Sequence, residues 1–420
     1  MELRTTESSS LLFFEDEATD RVRPELEQLA VKLAAVLPSL PATAPVLVSG
    51  DWGAGKTSLL QAIRSRLASD IKPAAVWFDA WHHEGQVALL PALVRRIWES
   101  TPDSYRGTAN AISLFGKVWR CAALATLRAA PLLAQFTPVP FLGEFIKALK
   151  PKDLLSDVEK IEDNLAPPED EVIKLRKYFV EMIQGAWPRV RPIIFIDDLD
   201  RCSPEGSVAL LDAIRMIVTG RDDLSCQFIV ALDRRVMSQA ISNKFAGIKG
   251  YDGNRYLEKI FPFEFRVPPP NGNTGLELLR ALLGTSREQH LGALSIAFRN
   301  PFFANPRLMK RTLNRFLLTL HLEERDDVAS IDNKRLAMWI VATERWPRLR
   351  AIHSGRTAHY WEAVAELYRQ RGDQGVDADL AQLLQEPGCL EWFRERDFPS
   401  KYDWLNEFDT EDERLRKWGL

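Results

Sequence analysis

Apolar residues recur with helical spacing over residues 23–35, and Pro38 and Pro41 then end the pattern. The short apolar run Pro45-Val-Leu-Val-Ser49 lies between proline and glycine and predicts a buried parallel strand. A glycine-bearing loop over 50–57 and helical spacing over 58–67 follow it. Residues 75–78 predict a second strand, and 87–99 an amphipathic helix. Further along, the pattern predicts a helix over 170–185, a strand over 191–196, a helix over 206–218 and a strand over 227–232. Strands alternating with helices predict an α/β fold, a parallel sheet with helices on its faces.

Two stretches interrupt this rhythm. Residues 101–165 break the alternation, and within them 121–146 are apolar but carry Arg128, Pro131, Pro138, Pro140 and Glu144. Their longest uncharged run, 129–143, is shorter than the ~20 residues a spanning helix needs and is broken by proline. A packed helical insertion is expected, with peripheral membrane contact left open and a membrane span not expected. The second interruption is Pro268-Pro-Pro270 with the flexible stretch 271–275, where the main domain boundary is expected. Beyond it the chain reads as helices, with tryptophans at 339, 346, 361, 392, 404 and 418 spaced as helix packing sites. The organisation expected is a lead-in and helix (1–44), a first core segment (45–100), a helical insertion (101–165), a second core segment (166–267) and a C-terminal helical domain (268–420).

Composition narrows the partners. Hydrophobic residues make up 46% and charged residues 27%, a globular balance, and the net charge of −3 gives no overall attraction to nucleic acid. The four cysteines, Cys121, Cys202, Cys226 and Cys389, form no CxxC pair and read as reduced thiols packed as small hydrophobes. The first twenty residues lack the charged start and apolar stretch of a secretory signal and read as a lead-in that docks by residues 11–14. A cytoplasmic location is expected.

Gly50-Asp-Trp-Gly-Ala-Gly-Lys56-Thr57 fits GxxxxGK[ST], with a predicted strand before it and a predicted helix after it. Gly50, Gly53 and Gly55 let a backbone wrap a phosphate and aim N–H groups at it, and the helix adds its positive end. The cofactor-binding stretch expected is Gly50, Asp51, Trp52, Gly53, Ala54, Gly55, Lys56, Thr57 and Ser58, with ATP and Mg²⁺ as the cofactors. Lys56 suits the β- and γ-phosphates, and the Thr57 hydroxyl suits Mg²⁺. The apolar run 193–196 ends in Asp197 and Asp198, carboxylates delivered to the sheet edge where ligands of α/β folds bind. Asp197 suits Mg²⁺ and Asp198 the attacking water; a capping and ion-pair cluster of Asp198, Asp200 and Arg201 is the competing account. Asp233, at the tip of the strand 227–232, is placed to sense the γ-phosphate, and Arg234 or Arg235 to supply positive charge to the transition state.

These motifs together resemble the KAP family of P-loop NTPases, over roughly residues 45–320. The acidic residue and tryptophan of Gly50-Asp51-Trp52-Gly53 are similar to that family's loop. Val76-Trp-Phe-Asp79-Ala80-Trp81, Asp197-Asp-Leu-Asp200-Arg201-Cys202, Phe228-Ile-Val-Ala-Leu-Asp233-Arg234, Tyr256-Leu-Glu-Lys259-Ile260-Phe261 and Asn305-Pro-Arg307 are similar to its later motifs. The resemblance implies an ATPase of ASCE/AAA-like architecture, with an extra strand between the strands that carry the two motifs. It implies that Arg307 sits in a helical lid and reaches the nucleotide from the second domain. Read from spacing alone, Arg307, Arg311 and Arg315 share one helix face, which equally describes a solvated stripe or a nucleic-acid patch. Family members often carry membrane-spanning helices inside the NTPase domain; the matching region here, 111–149, departs from that pattern. Bacterial members resemble components of defence against bacteriophage, which the resemblance extends to this chain.

Other features add less. His82 and His83 have no further His/Cys spacing to complete a metal site. Asn243-Lys244 is followed by Ala246 where a guanine-reading motif has a carboxylate, so ATP is expected over GTP. The function expected is an ATPase acting on the β–γ bond, used as a conformational switch. Its alternatives are an ATP-binding scaffold with little turnover, suggested by Asp198 where many related ATPases have Glu, and a DNA-stimulated ATPase. A small-molecule kinase is a further alternative, which the acid pair and helical extension disfavour. The partners expected are other protein subunits or a second copy of the chain, with nucleic acid less favoured.

Overall fold

The computed structural model of the chain describes residues 24–69, 71, 74–84, 88–133, 168–218, 225–247, 250–268, 305–322 and 331–353, with short pieces at 276–277, 279–280, 294–295, 298, 381–383, 385–386, 389 and 415. The chain divides into two compact units, one spanning Ala18–Val267 and one taking the residues from Pro268 onward.

The first unit opens with α1 (Pro24–Val36), β1 (Val46–Ser49), α2 (Lys56–Arg66), β2 (Ala75–Asp79) and α3 (Leu89–Glu99). The short α4 (Asp103–Arg106), the long α5 (Ala109–Leu133) and α6 (Pro168–Ala186) follow. Next come β3 (Ile193–Asp197), α7 (Pro204–Val218), β4 (Gln227–Leu232), α8 (Arg234–Lys244), α9 (Gly253–Ile260) and β5 (Phe263–Arg266). The five strands form one sheet in the order β2-β3-β4-β1-β5, with every pairing parallel. The α/β class read from the alternation is the one found. The strand expected between the motif-bearing strands is β4, which lies between β1 and β3.

Strand periodicity divides the core into two halves. Leu47, Val76, Phe78, Ile194, Ile196, Phe228 and Val230 point to one face, beneath α3, α5, α6 and α7. Val46, Val48, Ala75, Ile193, Phe195, Ile229 and Ala231 point to the other, beneath α1 and α2. A strand covered on both faces has no polar side to alternate with, which is why β1, β3 and β4 read as unbroken apolar runs. Within the stretch 101–165, α5 packs on α3 and on α6, in the same apolar cluster as the sheet. Residues 134–167, and the expected docking of residues 11–14, lie outside the described residues. Among the described residues, no helix is long and apolar enough to cross a membrane.

The second unit contains α10 (Pro306–Leu322), α11 (Ile331–Arg345) and α12 (Pro347–His353). Leu313 and Phe316 of α10 are buried, as are Trp339 of α11 and Trp346. Arg311 and Arg315 both reach Glu344, at 2.6 and 2.9 Å, so these two arginines of the shared face serve an ion pair within the unit. The tryptophans at 361, 392, 404 and 418 and the stretch 269–275 lie outside the described residues. None of the four cysteines forms a disulfide, and all are buried.

Candidate functional site

The buried strand β1 drives the chain to the sheet edge, and the glycine loop turns it into α2. Gly50 packs so closely that a Cβ there would stand 3.2 Å from Val267 Cβ and 3.5 Å from Lys56 Cγ. Gly53 and Gly55 adopt φ of 78° and 98°, in the left-handed region that glycine enters without strain. Gly55 is the N-cap of α2 and brings no side chain to the first turn, so that turn's N–H groups stay available to an anion. Lys56 is buried and folds back across the loop. Its Nζ donates to the carbonyls of Gly50 (3.0 Å) and Asp51 (3.4 Å) and lies 3.6 Å from Asp200 Oδ2.

Facing the loop are four carboxylates. The parallel register of β2 and β3 sets Asp79 against Asp197. Asp197 is 3% exposed, and its Oδ1 has no hydrogen-bond partner. Burial, then the neighbouring charge of Asp198, raise its pKa to about 7, while a hydrogen bond from the Thr57 side chain acts the other way. The Asp198 pKa is raised too, chiefly by burial, against the pull of Arg201. Asp198 has φ 54° and is the sole non-glycine residue with positive φ among the described residues; its Oδ1 lies 3.0 Å from Arg201 Nε. Asp200 accepts a hydrogen bond from the Asp233 backbone N–H at 2.9 Å through Oδ2, while its own Oδ1 has no partner.

Carboxylates gathered at one sheet edge, one of them buried with an oxygen that has no donor, are chemistry that suits a divalent cation. Mg²⁺ therefore fits beside Asp197 and the Thr57 hydroxyl. The glycine-lined turn, the open N-terminus of α2 and Lys56 fit nucleotide phosphates. Trp52 and Asp51 stand exposed on the loop, Ala54 packs beneath it, and Ser58 follows in the first turn of α2.

The residues after β4 divide their roles in a way spacing did not reveal. Asp233 is buried and caps α8, accepting from the N–H groups of Arg235 (2.9 Å) and Val236 (3.5 Å). Arg234 turns toward α9 and β5. It donates to Asn254 Oδ1 (3.2 Å) and Glu258 Oε1 (2.9 Å) and pairs with Glu264, which also accepts from Ser49 Oγ at 2.6 Å. Arg235 is the one that meets the phosphate loop, 3.1 Å from Asp51 Oδ1. Arg307 stands in the first turn of α10, in the second unit, where Asn305 Oδ1 accepts from its backbone N–H at 3.0 Å. His83 stacks on Phe78 with ring centroids 5.0 Å apart, and His82 donates its backbone N–H to Asp79 at 3.0 Å; both read as loop structure beside the site.

Comparison with known proteins follows the same lines. The sequence model described as the KAP family P-loop domain matches residues 23–322. The Phage T7 exclusion protein of Escherichia coli (strain K12) is 25% identical over 249 residues, which are 55% of this chain and 31% of that protein. The chain thus spans about a third of the length of this relative. Two solved structures are similar at low identity. The ORC2 protein of Aeropyrum pernix, in ADPNP and ADP complexes, gives a TM-score of 0.40 at 15% identity, covering 97% of this chain and 89% of that one. The Cdc6p protein of Pyrobaculum aerophilum gives 0.41 at 12%, covering 95% and 89%.

Proposed function

The chain belongs to the KAP family of P-loop domains, and from its site we propose that it binds ATP with Mg²⁺, hydrolyses the β–γ bond and uses turnover as a conformational switch. The observation that carries this reading is the convergence of Lys56 and Thr57, from the loop, with Asp197 and Asp200, from the end of β3. Mg²⁺, when bound, would neutralise charge that develops on the phosphoryl oxygens. Lys56 would exchange its loop carbonyls for phosphate oxygens. Gly53 and Gly55 would let the loop backbone close on the β-phosphate, with Asp51, Trp52, Ala54 and Ser58 completing the loop and helix start. Asp198 would orient the attacking water and accept its proton, and Asp233 would hold the tip of β4 near the γ-phosphate; of the two arginines, Arg235 beside Asp51 would supply charge at the loop, while Arg234 braces α8 through Glu258 and Glu264. The division that goes with this reading is 45–100 and 166–267 as core, 101–165 as insertion and 268–420 as a C-terminal helical domain that carries Arg307.

The relative's name supports extending the reading to defence against bacteriophage. A phage challenge of cells expressing the chain, with Lys56→Ala as control, tests that extension by efficiency of plating. The enzymatic proposal is tested by phosphate release from Mg·ATP for the wild type, Lys56→Ala and Asp198→Ala. Turnover in the wild type and loss in both variants supports it. A second reading, an ATP-binding scaffold, is favoured by the Arg201 ion pair that occupies Asp198. Tight ATP binding without phosphate release would replace the first reading with this one.

A further inference from the structure

Arg201 stands where three loops of the site meet. It closes the turn Leu199–Arg201 after β3, and its Nε is 3.0 Å from Asp198 Oδ1. Its guanidinium carbon lies 5.9 Å from the Trp52 ring centroid and 5.4 Å from that of Trp81. Trp52 belongs to the phosphate loop, and Trp81 to the turn after β2. Both tryptophans are more than half exposed, 61% and 54%, whereas the Arg201 side chain between them is 23% exposed.

Two exposed tryptophans at one sheet edge are unexpected in a site that needs only phosphate and metal ligands. Arginine explains the pairing. Its guanidinium is planar, so its faces can meet indoles while its edge stays in ion-pair contact with a carboxylate; a lysine ammonium has no such faces. Each ring contact is weak, because a cation over an exposed ring is only modestly held, and the ion pair with Asp198 is partly open to solvent, at 23% and 17%, rather than sealed in the core. A weak bridge of this kind can be remade when one of its supports moves. One support, Trp52, belongs to the loop that a nucleotide would occupy, and the other end of the bridge is Asp198.

We propose that Arg201 is a positioning residue that couples occupancy of the phosphate loop to the orientation of the Asp198 carboxylate, with Trp52 and Trp81 as the faces between which it moves. A nucleotide that shifts Trp52 shifts Arg201, and with it the restraint on Asp198. The catalytic consequence rests on the ATPase reading above. The mechanical link rests on nucleotide binding alone.

The test combines tryptophan emission with turnover in the full chain. Titration with Mg·ATP is expected to change emission in the wild type. That change should vanish in Trp52→Phe and fall at least twofold in Arg201→Ala, at an ATP affinity within threefold of wild type by equilibrium dialysis. In turnover, Arg201→Ala should lower kcat at least tenfold with KM within threefold. Arg201→Lys should not restore it, and added guanidinium ion should restore part of it. Trp81→Ala removes one exposed ring and keeps the ion pair; it should lower both the emission change and kcat severalfold, and it carries the test if Arg201→Ala does not fold. A wild-type emission response in Arg201→Ala, or in Trp81→Ala if the former does not fold, overturns the proposal whether or not the chain hydrolyses ATP. An Arg201-dependent emission change in a chain without turnover upholds the coupling and removes the ATPase reading instead.

Discussion

Asp79 and Asp197 face each other in register as the last residues of two parallel strands, so two carboxylates share one edge of the sheet. Burial and the neighbouring acids hold a proton on Asp197 up to a pH of about 7, against an ordinary value of 3.8. Between those values the folded chain binds a proton that the unfolded chain has released. Stability from this group is therefore lost as pH rises from about 4 to about 7, and the loss is complete above that. Asp197→Asn should then stabilise the ligand-free chain at pH 8 by on the order of 2 kcal/mol and change it little at pH 4. Urea unfolding at the two pH values measures this. The same proton must leave when Mg²⁺ enters, so Mg·nucleotide binding near pH 6 should release protons, seen by calorimetry in buffers of different ionisation enthalpy. Equal binding heats in all buffers, after correction for the nucleotide itself, would count against Asp197 as the metal ligand.

Lys56 and Asp200 form a buried pair of opposite charge, 3.6 Å apart with side chains only 8% and 2% exposed. Removing the cation alone leaves Asp200 buried, with one backbone N–H as its donor. Lys56→Met should cost about 3–5 kcal/mol, and Lys56→Met with Asp200→Asn should recover at least half of it. Nucleotide binding should be lost in both, because the phosphate contact needs the ammonium itself. A double-mutant cycle by urea unfolding decides the matter: additivity within ~0.3 kcal/mol would mean the pair is incidental.

The parts of this site that are local in sequence were legible, and those that depend on distant partners were not. Gly50–Thr57 announces its turn because its spacing is the geometry. The unbroken apolar runs of β1, β3 and β4 announce burial on both faces. Strand β5 escaped that reading because Phe263-Glu-Phe-Arg266 alternates and carries charge, as a half-exposed edge strand does. The choice between Arg234 and Arg235 is made by Glu258 and Glu264 on one side and Asp51 on the other, none of which is adjacent in sequence. The left-handed backbone of Asp198 leaves no trace in composition, since aspartate also serves ordinary turns. Trp52 and Trp81, far from Arg201 along the chain, gave no hint of sharing it.

The two adjacent arginines should separate cleanly on mutation. Arg234 joins α8 to α9 and β5 through Asn254, Glu258 and Glu264, and its loss leaves Glu264 with Ser49 as its remaining donor. Arg234→Ala should cost about 1–2 kcal/mol of stability. Arg235 and Asp51 are both exposed, so Arg235→Ala should fall within ~0.5 kcal/mol of wild type. Its effect should appear instead in nucleotide affinity, because Asp51 is part of the loop. Thermal unfolding beside ATP binding tests both halves, and the reverse assignment of effects would refute the division of labour.

Gly253 offers the sharpest steric test. A Cβ there would stand 2.1 Å from the backbone oxygen of Ser238 and 2.9 Å from its Cα, so α8 and α9 can approach as they do only if this position is bare. Backbone atoms in the middle of a helix cannot yield as a flexible side chain would. The contact also fixes the surroundings: Gly253 donates to Ser242 Oγ at 3.1 Å, and Phe245 of the turn after α8 packs on Tyr251 and Tyr256. Gly253→Ala should therefore cost about 3 kcal/mol or more, among the larger effects of a single methyl group. Gly247 is the control, because a Cβ there meets nothing within 4 Å. Gly247→Ala should be neutral or stabilise by about 0.4–1 kcal/mol through the unfolded state. Urea unfolding of the two variants side by side measures the difference. If they differ by less than ~1 kcal/mol, the close packing of α8 on α9 is not what holds this edge of the sheet together.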